Sequence, residues 1–130
     1  MFLVDKFRAY CLHESVISDV ECIDSKLIMH FRNGFWKNHR QAENCCMVIN
    51  IDGLTEKTVE FHTLIITVSK NKQRLLTYSK FLDLLRKSHF VIDVDYYSDF
   101  AKSILLLGYA GNHKVELSIF DIVNIEYVSD

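Results

Sequence analysis

The chain has 130 residues, of which 49% are hydrophobic and 12% are aromatic, and its formal net charge is −2 at pH 7. This length fits a single domain over residues 1–130, and the hydrophobic content is high enough to exclude a disordered chain. Because positive charge is not in excess, the composition also excludes a general attraction to nucleic acid or to an anionic membrane surface.

The start of the chain and its cysteines favour a cytoplasmic protein. Met1–Lys6 lacks the basic start and sustained apolar run of a signal peptide. The longest apolar run, at residues 104–111, is far short of the ~20 residues that a membrane span needs. No C-x-x-C spacing occurs, and we expect all four cysteines to be reduced and buried: Cys11, Cys22, Cys45 and Cys46.

The first half of the chain predicts a hairpin. Residues 1–11 fit either a short helix or a strand, whereas Val16–Ile23 and Lys26–Arg32 alternate as strands around a turn at Asp24-Ser25. The side chains predicted to face the core are Val16, Val20 and Cys22 in the first strand and Leu27, Met29 and Phe31 in the second. A polar loop over residues 37–44 and two more strands, Cys45–Asp52 and Lys57–Ser69, are predicted to follow.

Tyr78–Lys87 is the one segment with a clear helical period. Its apolar side chains recur at i, i+3, i+4 and i+7, and they are Tyr78, Phe81, Leu82 and Leu85. Thr77 or Ser79 can cap the first turn. A helix of about ten residues is marginal alone in water, so we expect it to pack on a sheet. Truncating Leu82 or Leu85 to alanine is then predicted to cost about 2–5 kcal/mol.

The last part of the chain predicts four strands joined mainly by hairpins, beginning near Phe90, Lys102, Lys114 and Val123. In the first of them, simple alternation predicts an inner row of Phe90, Ile92, Val94 and Tyr96, and an outer row of Val91, Asp93, Asp95 and Tyr97. The predicted fold class is therefore α+β: a mostly antiparallel twisted sheet of about eight strands, in two layers or a partial barrel, with one principal helix at about residues 78–87.

Two aspartates form the most interesting acidic pair. Alternation along a strand predicts that Asp93 and Asp95 share one face, ~7 Å apart. Carboxylates at that spacing could bind Mg²⁺ or Ca²⁺, or could divide the roles of a catalytic acid and base. Two simpler interpretations are a solvated strand face that discourages edge pairing, and an acidic patch that binds a protein.

Other candidate chemistry in the sequence is weak. The six histidines show no metal-binding spacing, and His13, Glu14 and Ser15 are adjacent, so they cannot form a catalytic triad. No nucleophile elbow or glycine-rich phosphate loop is present. The sequence therefore predicts a protein that is not an enzyme and has no cofactor.

Two aromatic residues are candidate contacts. Trp36 precedes the basic segment Lys37–Arg40, and it could stack on a nucleic acid, close one end of the core or anchor a protein interface. Tyr97 is predicted to point outward beside the aspartates, where it would be the better contact of the pair Tyr96-Tyr97.

Both ends of the chain resemble one group of proteins. Leu12–Ile17, followed by a hairpin that ends at Phe31–Gly34, is similar to the "L-H-D-S"-type opening of small bacterial β-rich domains. The closing segments Ser118–Ile122 and Ile125–Val128 look like the same domains. Some of them are immunity proteins of polymorphic toxin systems, so the resemblance implies a binding protein and no catalytic residue.

The leading functional hypothesis is a protein-binding module, in the form of an immunity-type inhibitor whose partner is a toxin. Its contact residues would be Asp93, Asp95 and Tyr97, with Trp36 as a second anchor. The alternative is a small ligand- or divalent-metal-binding domain that uses Asp93 and Asp95. Neither hypothesis involves nucleic acid or a membrane, and both leave the oligomeric state open.

Overall fold

The computed structural model describes residues 2–32, 35–37, 40–42, 45–55, 58–59, 64–69 and 72–129, with backbone alone for residues 35–37, 40–42, 64–68 and 129. The elements in chain order are α1 (Leu3–Phe7), β1 (Val16–Ile23), β2 (Lys26–Arg32), β3 (Phe35–Lys37), β4 (Arg40–Ala42), β5 (Cys45–Asn50), β6 (Leu64–Ser69), β7 (Arg74–Leu75), α2 (Tyr78–Ser88), β8 (Phe90–Ser98), β9 (Ser103–Ala110), β10 (His113–Ile119) and β11 (Asn124–Ser129).

The structure confirms the predicted α+β fold class. Nine of the described strands form one antiparallel sheet in the order β11-β5-β2-β1-β8-β9-β10-β6-β7, and β3 pairs with β4 in a separate ribbon. The strand β7 has two residues, so the main body of the sheet has the predicted size. Within the described ranges, no helix has the length and apolar character that crossing a membrane requires.

The sheet consists of two groups of strands with a narrow junction between β1 and β8. These two strands pair at Val16 with Val91 and at Ile17 with Phe90, whereas β8 and β9 pair at seven positions. Beyond Ile17, β1 runs beside α2, where the Tyr78 hydroxyl donates a hydrogen bond of 3.3 Å to the Val20 carbonyl oxygen. Helix α2 thus contacts β1 beyond the short stretch that pairs with β8.

One hydrophobic core contains side chains from both groups of strands and includes residues from Phe7 to Ile125. The short helix α1 contacts both β11 and β8, and the Tyr127 hydroxyl donates a hydrogen bond of 2.6 Å to the Phe7 carbonyl oxygen. The Ile122 N–H donates to the Lys102 carbonyl oxygen at 3.1 Å, which joins the approach to β11 to the β8–β9 turn. These contacts therefore connect β11, at one edge of the sheet, to strands in its middle.

The principal helix agrees with its prediction. Its N-cap is Thr77, whose side chain accepts a hydrogen bond of 3.2 Å from the Lys80 N–H. Phe81 and Leu85 are fully buried, whereas Leu82 is half-buried. Truncation of Leu82 is therefore expected to cost less stability than truncation of Leu85, because Leu82 lies at the margin of the apolar stripe.

The β1–β2 hairpin also has the predicted bounds, and its turn residues Asp24 and Ser25 have φ values of 50° and 62°, as a two-residue type I′ turn requires. In β2 the predicted inner residues are buried. In β1 the register shifts between Ile17 and Asp19, so Ile17 is fully buried and Val16 is not. The predicted inner position of Val16 was wrong because the strand carries a bulge.

The strand β8 shows the largest departure from the prediction. Its register with β9 shifts between Ile92 and Val94, which reverses the alternation for the rest of the strand. Val94 and Tyr96 are 45% and 54% exposed, whereas Tyr97 is 4% exposed. The prediction that Val94 and Tyr96 face the core and Tyr97 faces solvent was therefore wrong.

Other predictions in the middle of the chain are corrected in detail. The predicted loop at residues 37–44 contains β4, which pairs with β3. The predicted strand Lys57–Ser69 is a strand from Leu64 onward, while the Val59 N–H donates to the Thr55 carbonyl oxygen in a turn; residues 57 and 60–63 lie outside the described part. Cys11 is exposed, in contrast to Cys22, Cys45 and Cys46, which are buried as expected.

Candidate interaction surface on strands β8 and β9

Six apolar side chains lie on the face of β8 and β9 that is opposite to the core. Residues that are directly paired in an antiparallel ladder lie on the same face, and the three apolar pairs on this face are Val91 with Tyr109, Val94 with Leu107, and Tyr96 with Leu105. The other face carries buried residues such as Ile92 and Leu106. We call the six residues the outer patch: Val91, Val94, Tyr96, Leu105, Leu107 and Tyr109.

The outer patch is accessible. Val91 is 42% exposed and Tyr109 is 47% exposed, while Leu105 and Leu107 are half-buried between their neighbours. Isolated apolar residues are common on protein surfaces, but contiguous apolar areas mark binding sites more often. At the end of the same hairpin, Phe100 is fully exposed beside an ion pair of 2.8 Å between Lys102 and Asp99.

The bulge at Asp93 adds two side chains of β8 to the patch. A shift of one residue moves the following side chains to the opposite face of a sheet, and here it turns Val94 and Tyr96 outward. Gly108 makes the close approach of the two strands possible, because a Cβ atom at this position would lie 1.9 Å from the carbonyl oxygen of Val91. The bulge and the glycine are therefore parts of one local arrangement.

Charged side chains border the patch. A shallow concavity of about 250 Å³ is lined by Val94, Leu107 and Tyr109 together with Asp93, Lys114 and Glu116. His13 reaches the same border, since its Nδ1 atom lies 2.5 Å from the backbone oxygen of Asp93 and 3.9 Å from its carboxylate. An apolar centre with a rim of mixed charge is the usual anatomy of a protein interface.

The structure separates the two predicted aspartates. Asp93 is exposed at the border of the outer patch, whereas Asp95 pairs with the buried Leu106 and therefore lies on the core side, where it is half-buried. The prediction that the two carboxylates share a face was wrong, again because of the bulge. Among the described residues, no group of three or more histidine, cysteine or acidic side chains is arranged to hold a metal ion.

The two aromatic candidates have different outcomes. Tyr97 is buried, with its ring centroid 6.0 Å from that of Phe7, so it is not available at the surface. Trp36 lies in β3, where it pairs with Gln41, and its side chain is outside the described part of the structure. Sequence reasoning missed the outer patch, although Ile104–Leu107 is apolar on both faces; that signal also fits a strand covered on both sides.

Burial dominates the electrostatics of the tyrosines on the core side. Desolvation raises the pKa of Tyr97. Two smaller effects act in opposite directions, since the charge of Lys102 lowers this pKa and the charge of Asp99 raises it. Desolvation also raises the pKa of Tyr127 far above its ordinary value, and the charge of Asp95 acts in the same direction. Both hydroxyls are therefore neutral, and neither has the lowered pKa of an activated group.

Replacing Tyr97 with phenylalanine is expected to leave stability unchanged or to raise it by up to about 1 kcal/mol, because within the described part its buried hydroxyl has no hydrogen-bond partner. The matched control is Tyr127→Phe, which removes the hydrogen bond to Phe7 and is expected to cost about 1–3 kcal/mol. Urea unfolding of both variants measures the difference, and a Tyr97→Phe loss as large as that of Tyr127→Phe would contradict this account.

Comparison with protein-family models, with curated proteins and with solved structures finds no match for this chain. Its function must therefore be inferred from the geometry of the surface itself.

Proposed function

We propose that this chain is a non-enzymatic protein-binding module and that the outer patch is its contact surface. The observation that carries the proposal is the bulge of β8, which places Val94 and Tyr96 in solvent rather than in the core. Turning apolar side chains outward forfeits the free energy of burying them, about 1.5–3 kcal/mol for a large side chain. A binding partner that covers the patch would recover this free energy.

The composition of the patch fits a protein partner. Tyr96 and Tyr109 offer large, semi-polar rings, a residue type that often dominates binding energy at interfaces. Asp93, Lys114 and Glu116 at the border supply both signs of charge, which favours a specific orientation over general adhesion. The partner we expect presents an apolar or aromatic centre and a rim of mixed charge.

The particular form of the proposal is an inhibitor that masks a toxin in the cytoplasm, and the resemblance of the two chain ends to immunity proteins supports it. The alternative of a divalent-metal domain loses its support, because it needed Asp93 and Asp95 on one face. Asp93 remains a contact candidate at the rim, whereas Tyr97 is withdrawn in favour of Tyr96.

The test compares two substitutions of the same kind. Val94→Lys places a charge in the outer patch, and Val123→Lys places the same charge on a valine that is 53% exposed outside it. We expect Val94→Lys to weaken partner binding at least about 30-fold, since burying an unpaired charge at an interface costs at least about 2 kcal/mol. Val123→Lys should bind as the wild type does.

Co-purification from the native cell, followed by affinity measurement with the captured partner, gives the readout. For the inhibitor form, the product of the neighbouring gene is expressed alone and then with each variant, and growth is scored. Rescue by wild type and Val123→Lys, with failure of Val94→Lys, supports the proposal. Equal binding by the two lysine variants, or sedimentation showing that the patch joins two copies of this chain, would refute it.

A further inference from the structure

A second concavity, of about 270 Å³, lies beside α2 on the other side of the sheet. The helix contributes Lys80, Asp83, Leu84 and Lys87, which are spaced i, i+3, i+4 and i+7 and so form one stripe. At 1.5 Å per residue this stripe is about 10 Å long. The lining therefore extends along about two turns of the helix, and we call the site the basic groove.

The other lining residues of the basic groove come from outside the helix. Arg74 lies in β7, Leu76 lies between β7 and α2, and His113 lies at the start of β10. His113 pairs with Ala110, which is fully buried, so His113 lies on the core side of the sheet. The basic groove is therefore separate from the outer patch, and an inference about one does not depend on the other.

The basic groove carries an excess of positive charge on a chain whose formal net charge is −2. Among its described lining residues, the cations are Arg74, Lys80 and Lys87, and the one carboxylate is that of Asp83. Among the residues that the structure describes, the ion pairs involve His13, His30 and Lys102, and no pair contains these three cations. Within the described part of the chain, the three cations outnumber the lining carboxylate, and this excess produces a local positive potential that attracts an anion.

The lining of the basic groove includes two apolar side chains. They are those of Leu76 and Leu84, and both are half-buried. A free phosphate would gain nothing from these leucines, and phosphate sites usually offer a compact set of backbone N–H groups rather than a stripe along the side of a helix. An extended peptide with carboxylates and an apolar side chain matches both the length and the lining.

We infer that the basic groove binds an acidic, extended peptide segment of a protein partner. Carboxylates of the segment contact Lys80, Lys87 and Arg74, and an apolar side chain lies between Leu76 and Leu84. Asp83 limits the affinity, because it repels the acidic segment from the middle of the groove.

The probe is a fluorescein-labelled nine-residue peptide with the repeat Glu-Glu-Leu, titrated with the full chain at low ionic strength and followed by fluorescence anisotropy. We expect saturable binding that Lys87→Glu weakens at least about fivefold. The matched control is Arg86→Glu, the same change of charge at the neighbouring exposed residue outside the groove, which should weaken binding less than about twofold.

A third variant distinguishes binding from loss of structure. Asp83→Asn removes the repelling carboxylate and is expected to tighten binding about two- to fivefold, a gain that misfolding cannot produce. Circular dichroism of each variant confirms that the fold is retained.

Three results would overturn the inference: no saturable binding by the wild type, equal weakening by Lys87→Glu and Arg86→Glu, or no tightening by Asp83→Asn. Competition by inorganic phosphate beyond that of a chloride salt at equal ionic strength would also overturn it, because it would indicate a small-anion site. These readouts do not involve the outer patch, so Val94→Lys should bind the peptide as the wild type does.

Discussion

Replacing Gly108 with alanine is expected to destabilise the folded chain by about 3 kcal/mol or more. The added Cβ atom would lie 1.9 Å from the Val91 carbonyl oxygen and 3.1 Å from the Ile92 Cα atom. Both neighbours are backbone, so the clash cannot be relieved by turning a side chain. Strands β8 and β9 would have to move apart at the bulge, and the midpoint of urea unfolding measures the resulting loss.

Gly53→Ala is the matched control for this result. Gly53 has a φ of +72°, and a Cβ atom added there would have no heavy atom within 4 Å. Alanine at this position incurs the cost of a left-handed backbone, about 1–2 kcal/mol, without a clash. Equal losses in the two variants would show that the strands at Gly108 are not in close contact. The Gly108 variant is also expected to lose partner binding, because the bulge orients Val94 and Tyr96.

The second large effect is expected for Leu85→Ala, which should cost about 2–5 kcal/mol. Leu85 is fully buried in the core beneath α2, and its truncation leaves a cavity that the surrounding strands fill incompletely. The measurement is urea unfolding. If the free energy of unfolding falls with urea concentration at the same slope in both proteins, the shift of the midpoint gives the change in that free energy.

Leu82→Ala makes the same chemical change on the same helix at a half-buried position. Its expected cost is about 1 kcal/mol, because the truncated side chain was partly in water already. A Leu82→Ala loss equal to that of Leu85→Ala would mean that the apolar stripe of α2 is centred between the two leucines. That outcome would contradict the packing described above.

The sequence predicted the elements whose evidence is local. The helix has a 3.6-residue period and a threonine cap, and the β1–β2 hairpin alternates on both sides of its Asp24-Ser25 turn as far as the bulge in β1, so each could be placed within about one residue. The strand β7 and the β3–β4 ribbon have two or three residues per strand. Such short segments contain too few side chains to show a period.

The candidate surface could not be predicted because it depends on a single unpaired residue. Once one side chain of β8 has been assigned to a face of the sheet, alternation assigns all the others. The bulge at Asp93 reverses that assignment from Val94 onward. The bulge lies where Gly108 of the neighbouring strand approaches β8 closely, and the alternation within β8 contains no sign of that approach. The same bulge explains why Asp95 and Tyr97 are on the core side and why Tyr96 replaces Tyr97 as the candidate contact.

The pairing of β11 has a consequence for the order of events during synthesis. Its partner β5 leaves the ribosome more than seventy residues earlier, since Asn50 pairs with Asn124. Until then one edge of β5 has no strand to pair with, and an open edge of this kind invites intermolecular association. The β8–β9–β10 hairpins can form as they emerge, whereas the other half of the sheet closes last, so the nascent chain is most vulnerable to aggregation just before β11 is released.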